Sequence, residues 1–340
     1  MTITLPESES PTPAPAPVPY HRLARTDRHR WWRPLLGTLL IMVGLPVVLI
    51  GGFGAASAVV WLLDGPEDFL GGSPEAELAV TMVTLGLLIP LTLLAARWVQ
   101  RRPAGTVSSV VGRLRWRWLA TCLLVAVPAL VLHLGVLSLL PGGGQESDWA
   151  GWERVAAGLA VVVLLVPLQA AGEEYLFRGW LIQAFGSWIR SPWPGIAVSS
   201  VLFGLAHGWG TGWGMADLVF FGAVTAVVTI RTGGLEAAIA LHVVNNVAGL
   251  GFAVVTGTLE AQQADVSARA AMISMCVTGL YGGVVLWLAR RRRVENGTGH
   301  ASVGNDDAFD LVSIPLWIFG AYLAVVTVAP DVAPVSCCAA

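Results

Sequence analysis

The chain reads as an all-α membrane protein, a polytopic bundle of about eight or nine transmembrane helices. Three observations predict this class. Of its 340 residues 55% are hydrophobic and only 12% are charged, where a soluble domain averages about 25% charged. The apolar residues gather in runs of about 20, the length a helix needs to cross the hydrocarbon layer. Arginines and acidic residues occupy different inter-run segments, as expected if short basic loops are retained in the cytoplasm.

The N-terminal stretch is polar, with Pro11, Pro13, Pro15 and Pro17 recurring at alternate positions. Such a segment stays extended and builds no core, so residues 1–33 are expected to form a disordered cytoplasmic tail. A secretory signal is disfavoured, because the first apolar run begins only after Arg33 and is too long for a signal h-region. Spans follow at 35–63, 78–98, 118–140, 154–176, 194–208, 215–231, 235–256, 270–289 and 312–330, the fifth short and the ninth weakly flanked. They divide into N-terminal helices (34–145), a central unit (146–256) and C-terminal helices with a tail (257–340).

Charge orients them. Arg22, Arg25, Arg28, Arg30 and Arg33 place the N-terminus inside, and Asp64, Glu67, Asp68, Glu75 and Glu77 place the next loop outside. Arg97 to Arg117 return inside, Glu146, Asp148 and Glu153 lie outside, and Arg178, Arg190 and Arg231 lie inside. Glu260 and Asp265 then lie outside and Arg290 to Arg293 inside. This predicts a multi-pass protein of the cell membrane with a cytoplasmic N-terminus, and sets Glu173 and Glu174 near the cytoplasmic end of span four. Trp31, Trp32, Trp116, Trp118, Trp209 and Trp213 suit the aromatic belts of the interfaces.

Several classes are disfavoured. A net charge of −2 gives no reason to expect a nucleic-acid partner. No repeat, Gly-rich phosphate loop or heptad pattern occurs. Cys122, Cys276, Cys337 and Cys338 form neither a disulfide framework nor a zinc spacing. The terminal Cys337-Cys338-Ala339-Ala340 formally resembles a prenylation box and is read as coincidence. All 20 basic residues are Arg, the usage of a GC-rich, bacterial genome.

Strongly polar groups inside the spans are few, and in hydrocarbon such groups are functional by default. Three clusters stand out: Glu173, Glu174 and Arg178; Phe203 and His207; His242, Asn245 and Asn246. Residues four apart share a helix face, so Glu174 can pair with Arg178, Phe203 can shield His207, and His242 lines up with Asn246. Glu173 lacks a local partner. A cavity between three such helices supports two hydrolytic chemistries. In one, a buried carboxylate acts as general base on water while His and Asn donors stabilise an oxyanion. In the other, Glu173, His207 and His242 hold zinc. No His-Glu-x-x-His pair is present, so the metal-free version is preferred and no cofactor is expected.

The motifs Glu173-Glu174-x-x-x-Arg178, Phe203-x-x-x-His207 and His242-x-x-x-Asn246 resemble the signature of the CPBP family of intramembrane proteases, also called the Abi or CAAX-protease family, which includes the eukaryotic Ras-converting enzyme. The resemblance covers about residues 150–256. It implies a helical membrane fold whose cavity opens toward the cytoplasm, and cleavage of a membrane-associated protein or peptide by glutamate-activated water. On that resemblance Glu173 is the general base, Glu174 supports it or pairs with Arg178, His207 stabilises the oxyanion, and His242 with Asn246 completes the site. Phe203 and Asn245 support it.

Other readings stand beside this one. The acidic pair with Arg178 would also suit an interfacial anchor, and His242, Asn246 and especially Asn245 would suit interhelical hydrogen bonding. His133 reads as a satisfied core histidine. A non-catalytic scaffold or immunity factor, or a proton-relaying transporter, would carry similar charges. Simple alternation also sets His207 at the outer side and Glu173 at the inner, a conflict that tilt, short spans or a re-entrant 177–193 would relieve.

Overall fold

In hydrocarbon every peptide group must be satisfied within its own segment, which leaves apolar runs only the helix. The computed structural model describes residues 17–64, 74–139, 151–208, 210–259 and 266–298. Its helices are α1 (Arg33–Asp64), α2 (Pro74–Gly86), α3 (Leu88–Leu94), α4 (Trp116–Ser138), α5 (Trp152–Glu174), α6 (Ile182–Trp188), α7 (Trp193–Ala206), α8 (Gly212–Thr232), α9 (Glu236–Val255) and α10 (Ala268–Arg291). Among the described residues no strand forms, and seven helical stretches are long and apolar enough to cross a membrane, with α7 a shorter eighth. The protein is an all-α polytopic bundle. The expected span 312–330 and the terminal cysteines lie outside the described residues.

One expected boundary is wrong. Span four does not end at 176: a π-helical turn, Tyr175–Leu181, carries α5 directly into α6, giving one helical stretch from Trp152 to Trp188. Arg178 is therefore not a loop charge but a wholly buried residue inside that stretch. Of the segment 177–193, residues 177–188 are helix continuous with α5. At about 1.5 Å per residue, Glu173 lies roughly 32 Å from one end and 22 Å from the other, well inside the bundle. Helix α7 packs against α8, α8 against α10, and α9 lies between α5 and α4.

The tail expectation is also corrected for its described part. Tyr20, His21, Leu23 and Ala24 are buried, Tyr20 fully and His21 to 6% exposure, while residues 25, 27, 28, 30 and 31 stay exposed. The last carbonyls of a helix lack intrahelical donors, and this segment supplies them at the end of α6. Arg22 Nη1 donates to the Gly186 carbonyl at 2.5 Å and Arg25 Nη1 to that of Ser187 at 3.1 Å. His21 Nε2 lies 3.1 Å from the Arg190 carbonyl, and the Tyr20 hydroxyl bonds the Val107 carbonyl. Gly186 permits the approach, because a Cβ there would strike the His21 backbone.

This docking is expected to depend on pH. Burial pushes the His21 imidazole below its ordinary value, opposed by the Arg190 carbonyl and assisted by the neighbouring Arg22 charge. The unfolded chain thus binds a proton at His21 more readily than the folded one. The stability it contributes is complete above about pH 6.5, the unfolded value, and is lost as pH falls through the lower folded value. Thermal unfolding of the purified chain should show that loss, and His21→Gln should flatten it.

Candidate active site

The acidic pair closes α5, where small residues let it lie close to its neighbour. A Cβ at Gly172 would strike the Leu85 carbonyl at the end of α2. The wider π turn that follows re-aims Arg178, and such turns recur at functional sites. His207 caps α7 and His242 sits two turns into α9. These elements bring Glu173, Glu174, Arg178, Phe203, His207 and His242 into one cluster, with Asn246 at its edge.

Glu174 organises the dry side. It is fully buried, and its Oε1 accepts from Arg178 Nη1 at 3.1 Å and from His242 Nδ1 at 2.7 Å. Arg178 Nε and Nη2 have no hydrogen-bond partner among the described residues. Its guanidinium instead lies over the Phe203 ring at 4.1 Å, with Phe177 and Phe221 at 5.9 and 5.8 Å, a cation–π seat that strengthens as water is excluded. Phe203 also meets His207 at 4.5 Å and His242 at 5.7 Å between ring centroids. It is thus a seat for the cation as much as a shield for the imidazole.

Glu173 forms the open side. Its Oε1 accepts from Gln169 Nε2 at 2.7 Å. Its Oε2 lies 3.6 Å from His242 Nε2 and 3.8 Å from His207 Nε2. At those separations the three groups converge on common space without bonding one another directly. Both ring orientations follow from the opposite nitrogen. His242 Nδ1–H donates to a carboxylate and His207 Nδ1–H to the Phe203 carbonyl at 2.8 Å, so each presents Nε2 to Glu173. The His207 side chain is 32% exposed while that of Glu173 is 8% exposed, so the site opens beside His207. The apparent conflict of depth dissolves, because Glu173 lies inside a long helix and short α7 ends level with it.

Two sequence expectations change. Asn246 does not reach Glu173: its Nδ2 donates to Gln169 Oε1 at 3.1 Å. Asn245 is exposed on α9 and makes no hydrogen bond among the described residues, which overturns its reading as interhelical glue. His133 is half-buried on α4, a helix that carries no other site residue. Two residues were missed. Gln169 was detectable as a polar residue one turn before Glu173 in an apolar run. Phe221, 5.4 Å from His242 between centroids, has no distinguishing signal in an apolar helix. The zinc set of Glu173, His207 and His242 meets pairwise at Glu173. Among the described residues, however, no three His, Cys, Asp or Glu side chains gather in a geometry that would hold a metal.

Residues 152–248 match the family model described as "Type II CAAX prenyl endopeptidase Rce1-like", which fits the CPBP family that the motifs resemble. Among curated proteins the chain is 29% identical over 236 residues to "Uncharacterized protein YyaK" of Bacillus subtilis (strain 168), covering 63% of this chain and 75% of that protein. It is also 29% identical over 170 residues to "Uncharacterized 24.3 kDa protein" of Escherichia coli, covering 48% of this chain and 75% of that one. No solved structure matches significantly. Residues 152–248 are thus similar to a Rce1-like endopeptidase domain, in a chain whose apolar helices are those of a multi-pass membrane protein.

Proposed function

We propose that this chain is an intramembrane endopeptidase in which Glu173 activates water to cleave a membrane-associated protein or peptide. The observation that carries the reading is the convergence of two imidazole Nε2 atoms on the unpartnered oxygen of a buried glutamate. In a low-dielectric cavity charge balance decides what such a set can do. Arg178 is ion-paired with Glu174, whereas among the described residues Glu173 has no Arg within ion-pair distance. When Glu173 takes a proton from water, its negative charge passes with the attacking oxygen to the oxyanion of the tetrahedral intermediate, and Glu173 then returns that proton to the leaving amine as the C–N bond breaks.

The ring partners divide the remaining work. His242, fixed through Nδ1 to the Glu174 carboxylate, turns its Nε2 edge to the space beside Glu173 and is the ring placed to stabilise the oxyanion. His207, seated on a neutral carbonyl beside the opening, orients the attacking water. This reverses the expectation that His207 is the oxyanion donor. The arginine-rich end, where residues 17–31, Arg115 and Arg292 lie, faces the cytoplasm by the positive-inside rule. No metal enters these steps.

The test is reconstitution of the full chain in liposomes with a panel of lipid-anchored, quenched-fluorophore peptides, comparing wild type with Glu173→Gln. Cleavage by wild type that is lost in the variant supports the reading, and equal cleavage by both refutes it. Activity removed by a chelator and restored by zinc would overturn the metal-free mechanism. A scaffold or immunity factor would show no cleavage and a phenotype insensitive to Glu173→Gln.

A further inference from the structure

We infer that Gln169 is a positioning residue for Glu173, and that Asn246 anchors Gln169 from the neighbouring helix. The inference rests on the proteolytic reading for its purpose, whereas the contacts that carry it stand by themselves. Gln169 is 3% exposed within an otherwise apolar stretch of α5. A buried amide costs several kcal/mol unless its polar atoms are bonded, and here both ends are used. Nε2–H donates to Glu173 Oε1 at 2.7 Å, and Oε1 accepts from Asn246 Nδ2 at 3.1 Å.

The relay has one direction. A carboxylate can only accept, so the amide must turn its nitrogen to Glu173 and its oxygen to α9. There Asn246 supplies the matching donor. The tether leaves Glu173 with distinct oxygens: Oε1 is held, and Oε2 alone faces the two imidazoles. Glutamate has several side-chain torsions, and a carboxylate that must present one oxygen at one place benefits from having the other tied. The relay also joins α5 to α9, so the helix that carries His242 sets the orientation of the base on its neighbour.

One N–H of the Asn246 amide is committed to Gln169 Oε1, which would otherwise be left without a donor in an apolar interior. Asn246 is therefore the outer anchor of a tether whose inner end is the general base.

The test uses the full chain in liposomes and two readouts. Dicyclohexylcarbodiimide adds to a protonated carboxyl and converts it to a stable acylurea, and mass spectrometry gives the labelling rate at Glu173, with Glu173→Gln as the blank. A carboxylate that has lost its donor takes a proton more readily, so Gln169→Leu should label about ten- to a hundredfold faster than wild type, the range for a hydrogen bond to a charged group. Asn246→Leu should accelerate labelling in the same direction, and the double variant should match Gln169→Leu, because the two residues act in series. In peptide cleavage Gln169→Leu should lower kcat with KM unchanged. Unchanged labelling in Gln169→Leu, or effects that multiply in the double variant, would overturn the inference. The proteolytic reading fails separately, if Glu173→Gln still cleaves, and the labelling cycle reports on the tether in either case.

Discussion

Glu173→Gln should abolish peptide cleavage, lowering kcat by about 10²- to 10⁴-fold, the usual contribution of a positioned general base, without lowering thermal stability. The side chain keeps its volume, and a glutamine oxygen can still accept from Gln169 Nε2, which lies 2.7 Å from Glu173 Oε1. What is lost is a group able to take a proton from water at the point where His207 and His242 face it. Stability is preserved because the substitution removes a buried charge that, among the described residues, has no Arg within ion-pair distance. Expression, membrane insertion and the unfolding midpoint therefore serve as internal controls. A variant that unfolds early would point to Glu173 as a structural anchor, as in the interfacial reading of the acidic pair.

Arg178→Met should do the opposite, destabilising the fold by about 3–5 kcal/mol, the cost of removing one partner of a buried ion pair. Arg178 and Glu174 are both fully buried, and Glu174 would retain only the His242 ring as a donor. The double variant Glu174→Gln with Arg178→Met should recover most of this loss, since no uncompensated charge remains. Arg178→Lys should recover only part. An ammonium can meet Glu174, but it cannot lay a planar guanidinium on Phe203 4.1 Å away. Thermal unfolding in detergent measures all three, and an unchanged midpoint for Arg178→Met would show that the pair does not hold the fold.

Much of this was legible in the sequence because hydrocarbon leaves few options. Apolar runs can only be helices there, so the helical class follows from composition, and each of the first eight expected spans falls on a helix or, for span two, on α2 and α3 together. Charged and polar groups are costly in the same medium, so the few that remain mark a site without any fold being known. The spacing of four within each motif placed Glu174 with Arg178 correctly. It placed Phe203 with His207 correctly as well.

What failed were inferences that treated sequence position as depth. Arg178 was counted as a loop charge because charges end spans on average, whereas Glu174 and Phe203 together make its burial tolerable. Residues 17–31 read as tail because they are polar. Arg22 and Arg25 bond the carbonyls at the end of α6, a partner far away in sequence. His242 and Asn246 share a face, but the facing helix decides that one meets Glu174 and the other meets Gln169.

By itself the sequence determined that this is a multi-pass helical protein whose few intramembrane carboxylates, imidazoles and amides stand on three helices, because hydrocarbon admits apolar runs only as helices and makes such groups costly. The tertiary structure alone decided which oxygen of Glu173 is tied and which is free, which imidazole leans on a carboxylate, and which rings seat the guanidinium. Those are contacts between helices, and no spacing along one helix encodes how another will be turned against it.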